Sequence, residues 1–189
     1  TLGLDTTSVA ALLTAGGMAI GMALSGTVQN FAGGIMLLIF RPFKAGDFIN
    51  AQGVSGTVME VTIVTTRILT VDNRVIILPN GALFNGTIEN VSAQVLRRVD
   101  WTVSVDYGVD ADGCIELLRE MVYADERILT SQHERPKNAS PVAVDTKNIT
   151  IPDPFVALSS LNDNNISFVV RAWVKTEDYW SVYFDFNKR

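Results

Sequence analysis

Side chains able to do covalent or acid–base chemistry are scarce in this sequence. His133 is its only histidine and Cys114 its only cysteine. Nucleophile–histidine–carboxylate triads and multi-histidine metal sites are therefore out of reach. His133 falls in a stretch without apolar periodicity and reads as a solvated loop residue. Cys114 shares a helical pattern with Leu117 and Met121 and reads as a small core hydrophobe; a single cysteine also excludes an internal disulfide. Asp106, Asp110 and Asp112 gather near one turn, where they could hold a cation, though capping a helix start is the expected role. Gly17, Gly21 and Gly26 make no phosphate loop, since the spacing differs, no lysine follows and no strand precedes. No catalytic constellation is present, and the chain reads as a non-enzyme without cofactor or metal.

The spacing that does carry a mechanism is Met18 to Met22, four residues apart and so stacked on one side of a helix. Beside them Ala15, Ala19 and Ala23 form a ridge at the same spacing, and Gly17, Gly21 and Ser25 a groove. Small residues four apart let helix backbones approach closely in lipid, where packing drives association. One such face serves a helix dimer. Two on one helix suit a ring, in which every helix has a left and a right neighbour. The methionine stripe would then face the axis as two apolar collars about 6 Å apart, closing the hole to water and ions by dewetting. Alternatively the methionines face lipid or other helices, and spacing alone leaves both readings open.

The element that must position these residues is the run from Thr6 to Phe40, which contains no ionisable side chain. About 20 apolar helical residues cross a hydrocarbon core roughly 30 Å thick. This run would make a helix of roughly 50 Å, so a bend is expected at Gly26 and at the Gly33-Gly34 pair, where glycine weakens a helix by about 1 kcal/mol relative to alanine. After Gly26 the polar Thr27, Gln29 and Asn30 precede Phe31, Ile35, Leu38 and Ile39 at helical spacing, an amphipathic continuation along the membrane surface. Pro42 ends it. The run is too long for a signal peptide and lacks a basic leader. Arg41 and Lys44 follow it while Asp5 precedes it, which places the soluble part in the cytoplasm by the positive-inside rule. On that side Asn138-Ala139-Ser140 and Asn148-Ile149-Thr150 are chance matches to glycosylation sequons. A net charge of −5 argues against a nucleic-acid surface. The chain opens on Thr1 and is expected to be a fragment.

The soluble part changes character once. Between Asp47 and Asn80, β-branched residues at Val58, Val61, 63–70 and 75–78 alternate with turn chemistry at Gly53, Gly56, Asp72-Asn73 and Asn80-Gly81. This predicts a small barrel-like or curled sheet. Further on, Val99, Trp101, Val103, Val105 and Tyr107 alternate with polar residues as a half-buried strand. A helix follows over 111–124 with Ile115, Leu118 and Val122 on its apolar face. Strands over 155–161 and 166–174 flank the turn 162–165, and Thr176-Glu177-Asp178 starts a helix. That order predicts an α+β sandwich of ferredoxin-like type. The stretch 131–154 reads as a long loop. The expected domains are a helix over 1–40, a β domain over 41–96 and an α/β domain over 97–189, C-terminally incomplete.

Four strings, "GGMAIGMALSGTVQNFAGGIMLLIFRPFKAGDFI", "GVSGTVMEV", "RVIILPNG" and "ISFVVRAWV", resemble the bacterial small-conductance mechanosensitive channels over most of the chain. The resemblance implies a multi-domain membrane protein: a kinked pore-lining transmembrane helix, an Sm-like all-β domain, then the ferredoxin-like domain of a cytoplasmic cage. It implies a homoheptamer in the bacterial inner membrane that passes ions and small solutes when tension rises on hypo-osmotic shock. By position, Met18 and Met22 match the pore constriction, and Ala15, Gly17, Ala19, Gly21 and Ala23 the packing of neighbouring helices. Gly26 matches a kink and Gly34 a second bend. Asn30, Asn80 and Gly81 match a contact between pore helix and β domain that the family uses in inactivation. The family constriction is usually leucine, and methionine makes a softer collar. The outer membrane helices of the family, its lipid-facing tension sensor, would precede Thr1. The rival reading is a membrane-anchored Sm-like interaction module without pore activity.

Overall fold

The computed structural model describes residues 6–133 and 151–189. It divides into two units, Thr1–Val91 and Ser92–Arg189. Both sequons, Asp5 and most of the expected 131–154 loop lie outside the described residues.

In the first unit the uncharged run forms one helix, α1 (Thr6–Phe40), with helical structure continuous through Gly26, Gly33 and Gly34. Any bend there lies within the helix and does not interrupt it. Arg41 ends it in the left-handed region at φ 46. Its N–H donates to the Leu37 carbonyl at 2.9 Å and its Nε to the Leu38 carbonyl at 3.2 Å, which satisfies carbonyls left open at a helix end. Strands β1 (Phe48–Ala51), β2 (Val54–Val61), β3 (Thr65–Leu69) and β4 (Val75–Pro79) follow, then a short helix α2 (Asn80–Asn85) and β5 (Ile88–Asn90). All pair antiparallel in the order β4-β3-β2-β1-β5. Gln52 and Gly53 both take positive φ and make the tight β1–β2 turn, whose twist suits a hairpin. A bulge between Val58 and Glu60 bends β2. Ile49, Val58, Ile68 and Leu83 form the core of this sheet, and Leu37 of α1 joins it.

Gly56, expected in a turn, lies within β2 and pairs with Ile49 of β1, and two further expectations are corrected in this unit. Asn80-Gly81 was expected as a turn but opens α2, because Leu83 is fully buried in the core and its burial holds a helical turn that local chemistry would not. The strand expected from Ile63 begins at Thr65. Residues 62–64 instead form a hairpin tip, closed by Thr62 Oγ1, which accepts from Thr65 N–H at 3.1 Å.

The second unit contains β6 (Leu96–Val105), α3 (Ala111–Tyr123), β7 (Phe155–Leu161) and β8 (Ile166–Lys175). A 3-10 turn (Thr176–Asp178) then leads into α4 (Tyr179–Lys188). The antiparallel sheet runs β6-β8-β7, which is the expected α+β order. Val99, Trp101, Phe168, Val170 and Val174 of the sheet bury against Leu118 and Val122 of α3 and Val182 and Phe186 of α4. Cys114 packs partly buried against this core, whereas Leu117 on the same helix is exposed. Asp110 caps α3, its carboxylate accepting from the N–H groups of Asp112 and Gly113 at 3.2 Å each. His133 is exposed, and its Nδ1 accepts from Thr130 N–H at 3.1 Å. Where α3 gives way to its loop, Asp125 has a side chain only 9% exposed. Arg127 pairs with it at 2.7 Å and Arg189 at 3.7 Å, and Arg127 also reaches Asp185 at 3.0 Å.

Candidate functional site

The two halves of α1 have opposite surroundings. In the first, a Cβ added at Gly16, Gly17, Gly21 or Gly26 would meet nothing within 4 Å. Met18 is 62% exposed and Met22 69%, and Ala15, Ala19 and Ala23 are exposed as well. The hydroxyls on this stretch turn back onto the helix: Thr14 Oγ1 donates to the Ala10 carbonyl at 2.8 Å and Ser25 Oγ to the Met22 carbonyl at 2.9 Å. Their polar atoms are thus satisfied without water, as a lipid environment demands. An uncharged apolar cylinder left exposed among the described residues needs lipid or other helices around it.

The second half is seated on the sheet. Asn30 Oδ1 accepts from Gly81 N–H at 3.0 Å. A Cβ at Gly81 would stand 2.9 Å from that same Oδ1, so the approach requires glycine. A Cβ at Gly33 would stand 2.7 Å from the Asn80 carbonyl oxygen, and one at Gly34 would overlap the carbonyl oxygen of Ile63. The Gly33-Gly34 pair therefore has a steric reason beyond weakening a helix: it lets the helix backbone touch the hairpin tip and the start of α2. Leu37, one turn on, is 3% exposed within the β-domain core.

Asn80 is fully buried and does not hydrogen-bond to α1 through its side chain. Its Oδ1 accepts from Thr66 Oγ1 at 2.7 Å, its Nδ2 donates to the Thr62 carbonyl at 2.8 Å, and its N–H donates to the Val64 carbonyl at 3.0 Å. Below the helix end, Asp47 is 4% exposed and accepts from Lys44 N–H at 3.1 Å and Asn90 Nδ2 at 2.9 Å. Asn90 Nδ2 also reaches the Pro42 carbonyl at 3.1 Å.

The structure thus brings Asn30 and Gly81 into contact with each other, and Gly33 and Gly34 into contact with Asn80. It leaves Met18, Met22 and the small-residue faces open to other molecules. Sequence reasoning did not single out Ile63, Leu37, Asp47 or Asn90; the apolar stripe expected after Gly26, of Phe31, Ile35, Leu38 and Ile39, is exposed, and the buried Leu37 lies off it. Among the described residues no group of three metal-ligating side chains lies together.

Two family models match the chain: the mechanosensitive ion channel beta-domain over residues 26–93, and the C-terminal domain of the mechanosensitive ion channel MscS over 99–189. The chain is 44% identical over 171 residues to a small-conductance mechanosensitive channel of Edwardsiella ictaluri, covering 90% of this chain and 53% of that protein. It is 30% identical over 178 residues to the small-conductance mechanosensitive channel of Helicobacter pylori, covering 94% of this chain and 58% of that one. The crystal structure of Helicobacter pylori MscS in its closed state matches all of this chain and 67% of its own, with a TM-score of 0.82 at 28% identity. The chain spans little more than half the length of the curated relatives it matches.

Proposed function

The chain belongs to the small-conductance mechanosensitive channel family, and on that premise we propose that it is one subunit of a homo-oligomeric pore opened by membrane tension. In this reading seven copies of α1 encircle a shared hole in the inner membrane of a bacterium, with the residues after Phe40 in the cytoplasm. The Ala15, Ala19 and Ala23 ridge of one copy packs against the Gly17 and Gly21 groove of the next. Met18 and Met22 then close the hole by two apolar collars about 6 Å apart. Tension favours whichever state occupies more area in the plane of the bilayer. The work of tension on that area difference takes the place of a differential binding energy. Widening the collars admits water, then ions and small solutes, relieving hypo-osmotic swelling.

The observation that carries this reading is the first half of α1: uncharged and exposed along its length among the described residues, with Met18 and Met22 both more than 60% exposed on one stripe. The test is patch recording of the full-length protein in liposomes under a suction ramp, with its mass in detergent measured by light scattering. A ring of about seven subunits and step openings that follow tension are expected. A monomer or dimer, silent up to patch rupture, would mark a membrane-anchored interaction module instead.

A further inference from the structure

The five methionines of the chain have unequal surroundings. Met18 and Met22 are 62% and 69% exposed, Met59 on β2 is 49% and Met36 38%, while Met121 packs partly buried against the core of the second unit. The susceptibility of a thioether to oxidation follows its exposure. The two most open sulfurs therefore stand one helical turn apart, on the uncharged half of α1. The hydroxyls of Thr14 and Ser25 near them are turned back onto the Ala10 and Met22 carbonyls, so the stripe is apolar only while its sulfurs stay reduced. We propose, on the premise of the tension-gated pore, that Met18 and Met22 form a paired oxidation site whose conversion to sulfoxides wets the resting pore.

The reactant is a two-electron oxygen donor, hydrogen peroxide or hypochlorous acid. The sulfur lone pair attacks the oxidant, a sulfur–oxygen bond forms and the O–O or O–Cl bond breaks. Sulfur is oxidised to the sulfoxide; the peroxide is reduced to water, or hypochlorous acid to chloride with release of a proton. Both oxidants are small, and in a ring they reach the two levels of sulfur from the water at either mouth of the hole. The product keeps the length of the side chain but is polar and carries an S=O acceptor. A collar that excludes water only by being apolar loses its reason to stay dry. Leucine at the same positions offers no atom to oxidise, so the response belongs to the thioethers and not to apolar bulk. Tension then has less work to do, because part of the cost of admitting water has been removed.

The full-length protein in liposome patches is treated with dilute hypochlorous acid without suction, and matched samples are digested and mapped by mass spectrometry. The comparison is the double variant Met18→Leu with Met22→Leu, which keeps Cys114 and the other three methionines; each protein is read against its own untreated patch. In wild type, sulfoxide should form at Met18 and Met22 before Met121. Resting current should rise by about tenfold, the scale of water satisfying one exposed polar group, and the opening tension should fall. The double variant should show neither change. Should it fail to assemble, the single variants decide, each with a smaller rise than wild type. Three results would overturn the proposal: Met18 and Met22 unmodified after Met59 has fully reacted, both sulfoxides present with resting current unchanged, or an equal rise in the leucine variants. An untreated wild type that never opens under tension would sink the pore, and this site with it. One that opens under tension yet ignores its sulfoxides would sink the oxidation site alone.

Discussion

Gly34 rests so close to the carbonyl oxygen of Ile63 that a Cβ on it would overlap that atom, whereas a Cβ on Gly26, two turns earlier, would meet nothing. Two glycines in one helix thus answer to different constraints. Gly34→Ala must push the helix off the hairpin tip and should cost about 1–3 kcal/mol, the usual range for overpacking. Gly26→Ala should be neutral or stabilising by up to about 1 kcal/mol, since alanine is the better helix former. Thermal unfolding of the solubilised protein followed by circular dichroism ranks the two. The opposite ranking would show that Gly26 is packed and Gly34 is not.

What the sequence reveals and what it hides divide along the range of the interactions. The strand from Val99 and the helix from Ala111 are legible because alternation and helical spacing report which face is buried, and Val99, Trp101, Leu118 and Val122 are indeed buried. Helix α2 is hidden because Asn80-Gly81 after Pro79 has turn chemistry, and only Leu83 in a distant core overrules it. Strand β5 has three residues and pairs with β1, so no local period betrays it. Met18 and Met22 stand out by spacing alone. The seat of Gly33-Gly34 does not, because its partners Ile63 and Asn80 lie in another element.

In the proposed pore, Met22→Ser would put a hydroxyl that holds water where an apolar collar closes by dewetting, so the pore should hydrate at rest. Resting leak current in excised patches should rise above wild type, while Met22→Leu, apolar and of similar volume, should stay shut. A silent Met22→Ser that still opens under tension would remove Met22 from the constriction.

Asn30→Ala deletes the acceptor for Gly81 N–H and leaves that donor in a half-buried place. About 1 kcal/mol of the attachment between α1 and the sheet should go with it, and Asn30→Asp, which keeps an acceptor oxygen, should recover most of it. Because this contact joins α1 to the sheet, the proposed function expects the decay of current during sustained tension to change in Asn30→Ala and return in Asn30→Asp. Decay that is equal in all three proteins would separate the contact from gating.

Asp125 contributes to the acid response of the second unit. Hydrogen bonds from Arg127 hold its carboxyl below the usual carboxylate range, against the upward push of burial. Unfolded, the same carboxyl titrates near its ordinary value of about 3.9. The folded state therefore binds fewer protons across this window. The stability that Asp125 contributes is complete above about pH 4 and drains away as pH falls through the folded value. Asp125→Asn should cost about 1–3 kcal/mol at neutral pH, the scale of a charge-assisted hydrogen bond in a mostly buried place. The difference from wild type should shrink steadily below about pH 4. Tryptophan fluorescence reads this directly, since Trp101 sits in the same unit, its ring centroid 4.5 Å from that of Phe186 on α4. A gap that stays constant from pH 7 to pH 3 would mean that the shape of Asp125, and not its charge, holds α3 and α4 together.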